Sequence, residues 1–252
     1  MEDMSEEAMI TVSIVTPVYN GEKTLARTIE SVLNQRQKPT EYIIVDGQST
    51  DDSVKIAKSF ENAFKEAGID FIITSEKDQG MYDALNKGIS RASGELIGNI
   101  NSDDWYEPDA IKTMTEFYSR ARYDIAWSDI YIHNNGKVIR KKASVGKLWT
   151  TNRFCHPSMF AKKSVLMKYP YQIQILDADY DMVLRANNDG VKIVAENVPI
   201  ANYSMGGAST SKSISNMKYR IRMKYDTYRR NGYSRLYWFY CVIMEFVKYV
   251  LG

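Results

Sequence analysis

Four short apolar runs, separated by helical patterns, fill the first hundred residues and constrain the fold of this 252-residue chain more than any other feature. The runs are rich in β-branched residues, which is typical of strands buried on both faces of a parallel sheet. Strands that alternate with helices predict an α/β fold, with helices on both faces of a mostly parallel sheet. Right-handed crossovers place the carboxyl ends of the strands on one edge, where such sheets bind ligands. The predicted strands are 11–18, 42–46, 69–74 and 94–100.

The second half of the sequence is less regular than the first. Its predicted elements are a hairpin of strands 125–132 and 137–141, a helix at 179–188, an extended segment at 191–203 and helices from Ile214 onward, with a break near 231–232. We therefore predict a flexible N-terminal tail at 1–10, one α/β domain at 11–211 and basic amphipathic helices at 212–252.

Charge is distributed unevenly along the chain, although the formal net charge is only +2. A net charge this small does not indicate a nucleic-acid-binding protein. Residues 212–235 contain eight Lys or Arg and a single acid, Asp226, and this basic stretch predicts contact with an anionic surface. The two cysteines form no CxxC pair and the first residues lack an apolar signal segment, so we predict a reduced, cytoplasmic setting.

The sequence NSDD at residues 101–104, here called the acidic loop, follows the fourth predicted strand. Its two carboxylates and one amide suit Mg²⁺ or Mn²⁺, which also takes oxygens from a bound diphosphate. The alternative is that Asp104 caps a helix that begins near Pro108. Residue type and spacing leave both interpretations open.

Other polar residues have a functional and a structural interpretation as well. Asp46 ends the second strand, where a carboxylate can accept hydrogen bonds from a nucleoside, but turn residues also take this position. Asp83 and Lys87 lie four residues apart on a predicted helix, where Lys87 can meet a phosphate or simply form a solvated ion pair with Asp83.

Three acids, Asp177, Asp179 and Asp181, lie at the start of the helix predicted near residue 179. A general base must be a carboxylate in a cleft, and periodicity does not choose among the three. Acids in a first helical turn also favour the helix macrodipole, which is the structural alternative. His156 lies between apolar residues, which favours a structural histidine over a substrate contact.

Taken together, these segments resemble the family 2 glycosyltransferases with the GT-A fold, especially those that build bacterial surface polysaccharides. The resemblance covers residues 11 to 211 and rests on five motifs in the order of the family. These are SIVTPVYNGEKTLARTIESVLNQ, IIVDGQSTDDS, SEKDQGMYDALNKGISRASGELIGNINSDD, ADYDMVLR and MGGAS.

The resemblance implies an inverting enzyme that moves a sugar from a nucleotide-diphosphate sugar to an acceptor hydroxyl, with Mn²⁺ or Mg²⁺ as cofactor. It assigns the metal to Asp103, with Asp104 as a second candidate, and the role of general base to Asp179. It assigns donor binding to Thr16, Pro17, Tyr19, Asp46, Asp83, Lys87, Asn101 and Ser102, and weaker substrate contacts to His156, Gly206 and Gly207.

Two departures from the family pattern stand at these positions. Asn101 replaces the first acid of the usual DxD motif, and Ala178 replaces the acid that normally precedes the base. They motivate a non-catalytic scaffolding or binding subunit as the alternative function, and a sugar nucleotidyltransferase is a further alternative. The Gln-x-x-Arg-Trp motif of processive members is absent from the sequence, which favours addition of single sugars.

The last predicted helix, 236–251, is apolar along one face, formed by Leu236, Phe239, Tyr240, Ile243, Phe246, Val247 and Val250. Sixteen residues of helix reach about 24 Å, less than the ~30 Å hydrocarbon core of a bilayer. Because basic residues precede this helix, we predict peripheral contact with the inner face of the cell membrane. Such contact would suit a polyprenyl-diphosphate-linked or other glycan acceptor. Packing on the catalytic domain or in an oligomer is the alternative.

Overall fold

The structure is a computed structural model that describes residues 10–146, 153–205 and 213–251 of the chain. These residues form one nine-stranded mixed sheet with helices packed against it. The strands are β1 (Val12–Val18), β2 (Glu41–Asp46), β3 (Asp70–Ser75), β4 (Leu96–Asn99), β5 (Trp105–Tyr106), β6 (Ile125–Asn134), β7 (Lys137–Lys141), β8 (Phe160–Lys162) and β9 (Ile193–Ser204). The helices are α1 (Leu25–Leu33), α2 (Ser53–Ser59), α3 (Glu61–Glu66), α4 (Met81–Arg91), α5 (Ala110–Ala121), α6 (Lys163–Lys168), α7 (Ala178–Asn188), α8 (Ile214–Arg230) and α9 (Tyr237–Leu251).

The four strands predicted from apolar runs form the parallel half of the sheet, in the order β3-β2-β1-β4. Every residue of β1 and β2 is buried, which explains why their sequences are almost continuously apolar. The register aligns Val18 with Asp46 and Asp46 with Ser75, so the carboxyl ends of three strands lie side by side. The prediction of one functional edge therefore matches the observed topology.

Helix α4 packs closely on this parallel half because it contains Gly88. A Cβ atom at Gly88 would lie only 2.4 Å from Cγ1 of Val15 on β1, a distance that real Cβ contacts do not reach. A side chain there would push the helix away from the sheet. Because α4 also carries Asp83 and Lys87, this glycine helps to fix their position relative to the strand ends.

The other half of the sheet is mixed in direction. Strand β8 is antiparallel to both β4 and β6, while β6 is parallel to β9. The predicted hairpin is present as β6 and β7, which pair antiparallel. At the far edge, the two-residue strand β5 pairs antiparallel with β9 and so connects the segment after the acidic loop to the second half of the domain.

Helices α8 and α9 form a C-terminal hairpin held by buried polar contacts. Glu245 on α9 accepts hydrogen bonds from Arg220 at 2.8 Å and Lys224 at 2.9 Å, and both cations lie on α8. At the end of α8, the amide of Asn231 donates to Asp181 of α7 at 2.9 Å. The hairpin is therefore attached to the helix that carries the acids 179 and 181.

The apolar face of α9 is exposed to solvent, with Leu236, Phe239 and Ile243 at 70%, 64% and 60% exposure. Tyr240, predicted to lie on this face, is instead partly buried against the core, where it contacts Tyr228. Among the helices described, none combines the length and apolar character needed to cross a bilayer.

Candidate functional site

Asp46 lies buried at the carboxyl end of β2, between the ends of β1 and β3. Its carboxylate accepts hydrogen bonds from the hydroxyl of Ser75 at 2.6 Å and from the backbone N–H of Ser49 at 3.1 and 3.2 Å. These contacts are the turn chemistry that the structural alternative predicts. A nucleoside contact for Asp46 remains a prediction.

The loops that follow β2 and β3 touch each other at Gly47. A Cβ atom on Gly47 would lie 2.4 Å from Oδ2 of Asp78, so a side chain at this position would displace the Asp78 carboxylate. The other oxygen of Asp78 accepts the backbone N–H of Gly80 at 2.9 Å, just before α4 begins. Asp78 thus brings a further carboxylate to the functional edge, and sequence reasoning did not assign it a role.

The loop after β1 is tied to the start of α2. The backbone N–H of Asn20 donates to Ser49, and the side chain of Asn20 accepts the N–H of Thr50, both at 2.8 Å. Tyr19 is 64% exposed at this loop and is free to contact a ligand. Thr16 is fully buried and accepts a hydrogen bond from the hydroxyl of Tyr42 at 3.0 Å, and its neighbour Pro17 is buried too.

The acidic loop is fixed from three directions. The N–H of Asp104 donates to the carbonyl of Asn101 at 3.1 Å, which closes a turn. The hydroxyl of Thr28 on α1 donates to the carbonyl of Asp104 at 2.6 Å, and the N–H of Ser204 on β9 donates to Oδ1 of Asp104 at 2.9 Å. Asp104 therefore does not cap a helix, and the helix predicted near Pro108 begins at Ala110.

Two oxygens of the acidic loop are buried without a hydrogen-bond partner among the described residues. They are Oδ1 of Asn101 and Oδ2 of Asp104. Burial, and then the charge of Asp103, raise the pKa of Asp104 to about 8. Burial also raises the pKa of Asp103. Leaving such atoms unpaired costs about 1–3 kcal/mol each, so the loop is poised to gain from a ligand that satisfies them.

Among the described residues, Arg27 is the cation that lies beside this loop. Its guanidinium lies 3.7 Å from the ring centroid of Trp105 and donates to the carbonyl of Asp103 at 2.8 Å. It bonds the backbone and not the carboxylates, so the oxygens of the loop stay available to another cation.

The donor set of this loop fits a hard divalent ion. Carboxylate and amide oxygens are the ligands that Mg²⁺ and Mn²⁺ take in proteins. In the part of the chain that the structure describes, no three His, Cys, Asp or Glu side chains cluster as a metal site. A metal held by Asp103, Asp104 and Asn101 remains a prediction, and such an ion would take its other ligands from substrate or water.

On α4, Asp83 and Lys87 form an ion pair at 3.1 Å, with both side chains about three-quarters buried or more. Nζ of Lys87 also donates to the carbonyl of Lys77 at 2.7 Å. The ion pair of the structural alternative is thus present, and a phosphate contact for Lys87 remains a prediction. Ser102 lies beside the loop after β1, since its Oγ would be 3.2 Å from a Cβ on Gly21.

Asp179 lies in the first turn of α7, and its side chain is 17% exposed. Its Oδ1 accepts the hydroxyl of Tyr82 at 3.0 Å and the N–H of Tyr180 at 2.9 Å. Its Oδ2 lies 3.8 Å from Nδ1 of His156, which is beyond hydrogen-bond distance. Asp181 has a different environment, because it is buried and its carboxylate accepts a hydrogen bond from Arg185 at 2.7 Å.

His156 is enclosed beside this carboxylate. Burial lowers its pKa, against the opposing charge of Asp179, so the ring is neutral near pH 7. Its Nε2 is buried without a partner in the described part of the chain. His156 therefore lies at the candidate site, as its assignment as a substrate contact requires. Gly206 and Gly207 lie outside the described residues.

Residues 13–185 match the model of the family described as "Glycosyl transferase family 2". The chain belongs to this family. The resemblance drawn from five sequence motifs is confirmed, and the protein is a glycosyltransferase. The match includes the acidic loop and the N-terminal half of α7 with Asp179.

Two relatives illustrate the range of the family. The glycosyltransferase is 27% identical over 206 residues to a PGL/p-HBAD biosynthesis glycosyltransferase of Mycobacterium bovis, covering 79% of each chain. It is 31% identical over 194 residues to a chondroitin synthase of Escherichia coli, covering 71% of this chain and 27% of the synthase.

Solved structures share the fold at low sequence identity. Residues 1–349 of S. aureus TarS, in complex with UDP-GlcNAc, have a TM-score of 0.69 at 15% identity, and the match covers 96% of this chain and 73% of that 1–349 chain. Glucosyl-3-phosphoglycerate synthase of Mycobacterium tuberculosis, in complex with Mn²⁺, UDP and phosphoglyceric acid, has a TM-score of 0.63 at 15% identity, covering 90% and 80%. The expected GT-A fold, followed by C-terminal helices, is confirmed.

Proposed function

We propose that this glycosyltransferase is an inverting, metal-dependent and non-processive enzyme. It moves one sugar from a nucleotide-diphosphate sugar to a hydroxyl of a glycan or lipid-linked acceptor in cell-envelope polysaccharide synthesis. The names of the two relatives support glycoconjugate or polysaccharide products. The complexes of the two solved structures support a nucleotide-sugar donor.

The observation that carries the proposal is the acidic loop with its two partnerless buried oxygens. A protein that binds no cation there would leave a cost of folding uncompensated in a loop that three hydrogen bonds otherwise fix. A divalent ion held by Asp103, Asp104 and Asn101 would offset that cost. When bound, such an ion stabilises the negative charge that develops on the departing diphosphate.

The proposed reaction is a single displacement at the anomeric carbon of the donor sugar. The acceptor oxygen forms a bond to this carbon on the face opposite the diphosphate, and the carbon–oxygen bond to the diphosphate breaks. The electron pair of that bond leaves with the diphosphate. Asp179 takes the acceptor proton on Oδ2, the oxygen that lies without a hydrogen bond among the described residues. Lys87 binds the diphosphate as a point charge.

A thermal-shift panel with UDP-, GDP- and dTDP-sugars, each with and without Mn²⁺, tests the donor and the metal together. A donor that binds the folded chain at 100 times its Kd raises the free energy of unfolding by about 2.7 kcal/mol. We expect one nucleotide class to stabilise the protein in the presence of Mn²⁺ and to do so much less in its absence.

Release of the nucleoside diphosphate from the same donors, without added acceptor, tests catalysis. We expect slow release that requires Mn²⁺ or Mg²⁺. Stabilisation without any release would favour a binding or scaffolding subunit, and release of pyrophosphate from a nucleoside triphosphate with a sugar phosphate would favour the nucleotidyltransferase alternative.

A membrane surface is a further partner in the proposal. Phe239, Ile243, Phe246 and Val250 form an exposed apolar face along α9, and Leu236 is exposed just before the helix begins. The adjoining helix exposes basic side chains to solvent, namely Lys218, Arg222, Arg229, Arg230 and, just after it, Arg235. An apolar face next to exposed cations is typical of helices that lie in the interface of an anionic bilayer.

Co-sedimentation with vesicles tests this partner. We expect binding to vesicles rich in anionic lipid at low salt, little binding to neutral vesicles, and loss of binding when Leu236, Phe239 and Ile243 are changed to Ser. Replacing Val138 and Ile139 on β7, which are 57% and 59% exposed, is the matched control and leaves binding unchanged. A dimer in solution that the triple variant dissociates, without vesicle binding by the wild type, would contradict the proposal.

A further inference from the structure

Helix α4 carries two pairs of polar side chains, each at a spacing of four residues. Asp83 and Lys87 form the ion pair to which the donor diphosphate is assigned. Tyr82 and Asn86 lie one residue earlier and contact the segment that leads into α7. One helix therefore contacts both the predicted donor side and the predicted base of the site.

The contact of Tyr82 with Asp179 spans 97 positions of sequence and is 3.0 Å long. The same hydroxyl lies 3.2 Å from the carbonyl of Leu176. It has one proton, and a charged carboxylate accepts a stronger hydrogen bond than a neutral carbonyl does. The proton therefore goes mainly to Oδ1 of Asp179.

The two oxygens of Asp179 are consequently unequal. Oδ1 accepts the Tyr82 hydroxyl and the N–H of Tyr180. Oδ2 makes no hydrogen bond among the described residues and lies 3.8 Å from Nδ1 of His156. A carboxylate whose one oxygen holds two donors keeps a fixed orientation and presents the other oxygen for proton transfer.

Tyr82 is itself held firmly, as a residue that orients another must be. Its ring packs on that of Tyr171, with centroids 5.5 Å apart. The backbone of Tyr171 is bound at both its N–H and its carbonyl by the side chain of Asn86, at 3.0 and 2.7 Å. The hydroxyl of Tyr171 accepts the amide of Asn99 at 2.8 Å, which anchors the group to the end of β4.

We infer that Tyr82 is a positioning residue for Asp179. The hydroxyl of Tyr82 orients the carboxylate of Asp179 so that Oδ2 faces the acceptor hydroxyl. This inference rests on the proposed function, because it gives Asp179 the role of base. Burial, and then the carboxylates of Asp179 and Asp177, raise the pKa of Tyr82 well above its usual value, so the hydroxyl keeps its proton throughout the working pH range.

Replacing Tyr82 by Phe removes the hydroxyl and keeps the ring that packs on Tyr171. Misplacement of a reacting group by about 1 Å can cost ~10²-fold in rate, so we expect kcat for nucleotide release from the donor identified above to fall by about 10- to 100-fold. The KM for the donor should stay within about twofold, since a positioning residue of the base adds nothing to donor binding.

The double variant with Asp179→Asn separates positioning from a general structural role. Once the base is gone, its orientation no longer matters. Tyr82→Phe should therefore lower the residual rate of Asp179→Asn by less than about threefold, a strong departure from additivity. The slow residual release is followed with radiolabelled donor over hours.

Tyr169→Phe is the matched control. The hydroxyl of Tyr169 donates to Asp189 at 2.6 Å, at the opposite end of α7 from Asp179. The same chemical change there removes a tyrosine–aspartate hydrogen bond of the same helix, and kcat should stay within about twofold of wild type if only the contact with the base matters.

Three results would overturn the inference while leaving the transferase proposal intact. They are a Tyr82→Phe variant with unchanged kcat, one in which only the donor KM rises, and a loss that is as large in the Asp179→Asn background as in wild type. A wild-type protein that releases no nucleotide from any donor would instead contradict the proposed function and the inference with it.

Discussion

Two acidic regions of the molecule differ in how their carboxylates are satisfied. In the acidic loop, burial and mutual repulsion raise the pKa of Asp104 to about 8, and one of its oxygens has no partner among the described residues. At the start of α7, Asp179 accepts two hydrogen bonds at one oxygen, and its other oxygen has no hydrogen bond among the described residues in a side chain that is 17% exposed. Both regions lie in the segment that matches the family.

The difference shows what each region requires from a ligand. A buried carboxylate without a partner is unfavourable, so Asp104 is stabilised either by taking up a proton or by binding a cation. A carboxylate already oriented by donors needs no ligand to reach its working geometry. This difference supports the proposal that the acidic loop binds a cation and that Asp179 accepts a proton, and substitutions should affect the two regions differently.

The largest effect is expected at the organised region. Asp179→Asn keeps both hydrogen bonds at Oδ1 and removes the basic oxygen, so transfer should fall by about 10²–10⁴-fold, the usual contribution of a general base. Donor-induced thermal shifts should be unchanged. Turnover is measured by nucleotide release, and Asp189→Asn at the other end of α7 is the control. Wild-type turnover in Asp179→Asn would assign the base elsewhere.

The next effect is expected at the acidic loop. Asp103→Asn leaves the fold of the loop intact, because the hydrogen bonds that fix it use Asn101, Asp104, Thr28 and Ser204. Loss of charge stabilisation on the leaving group should lower kcat by roughly 10²–10³-fold. Titration with Mn²⁺ should show a higher concentration for half-maximal rate. Equal Mn²⁺ dependence in Asp103→Asn and wild type would move the metal away from this loop.

Sequence reasoning predicted the parallel half of the sheet well because its signal is local. Strands β1 to β4 come from short apolar runs separated by helical patterns, which predict parallel strands with their carboxyl ends on one edge. The order in which these strands pair is set by no local signal and comes from the structure alone. Strands β5 and β8 are two and three residues long, too short for any periodicity, so their pairing with β9 and β4 could not be predicted.

The residues of the candidate site divide in the same way, into those with a local sequence signal and those defined by long-range contacts. The acidic loop and Asp179 carry local motifs and were assigned from sequence. Tyr82 and Ser204 act through contacts across 97 and 100 positions, to Asp179 and Asp104 respectively, and no spacing in the sequence indicates them. Asp104 is a buried carboxylate and not a helix cap because the backbone N–H of Ser204 on β9 donates to it, a long-range contact that the sequence does not indicate.

A smaller effect is expected at Lys87, which belongs to neither acidic region and is proposed to bind the donor diphosphate. Lys87→Met removes the ion pair with Asp83, worth ~0.5 kcal/mol for a pair at this spacing, and with it the proposed contact with the donor phosphate. We expect the donor KM to rise about 10-fold, the equivalent of ~1.4 kcal/mol. Lys112→Met on α5, which breaks the exposed pair with Glu116, is the control. An unchanged KM would leave Lys87 with a structural role alone.

The smallest effect is a change of stability with pH that distinguishes the two regions without any substrate. The pKa of Asp104 rises from 3.8 to about 8 on folding, so the folded chain holds a proton that the unfolded chain releases. The stability from this group is complete below pH 3.8 and is lost as the pH rises towards 8. Asp104→Asn cannot ionise and escapes this loss.

In the presence of EDTA, Asp104→Asn should therefore unfold at a higher temperature than wild type at pH 8.5, and by a smaller margin at pH 5. One kcal/mol corresponds to about 2–4 °C for a chain of this size, and we expect the margin to widen by at least about 3 °C. Asp124→Asn should instead unfold at a lower temperature than wild type by about the same margin at both pH values. Although partial burial opposes it, hydrogen bonds from Lys162 and Lys192 lower the pKa of Asp124, which is therefore ionised in the folded and the unfolded chain across this range. Excess Mn²⁺ should reduce the margin at pH 8.5 by stabilising wild type, since an ion that binds only the folded chain raises its stability. A margin that is equal at both pH values would mean that folding does not raise the pKa of Asp104, and the contrast between the two acidic regions would disappear.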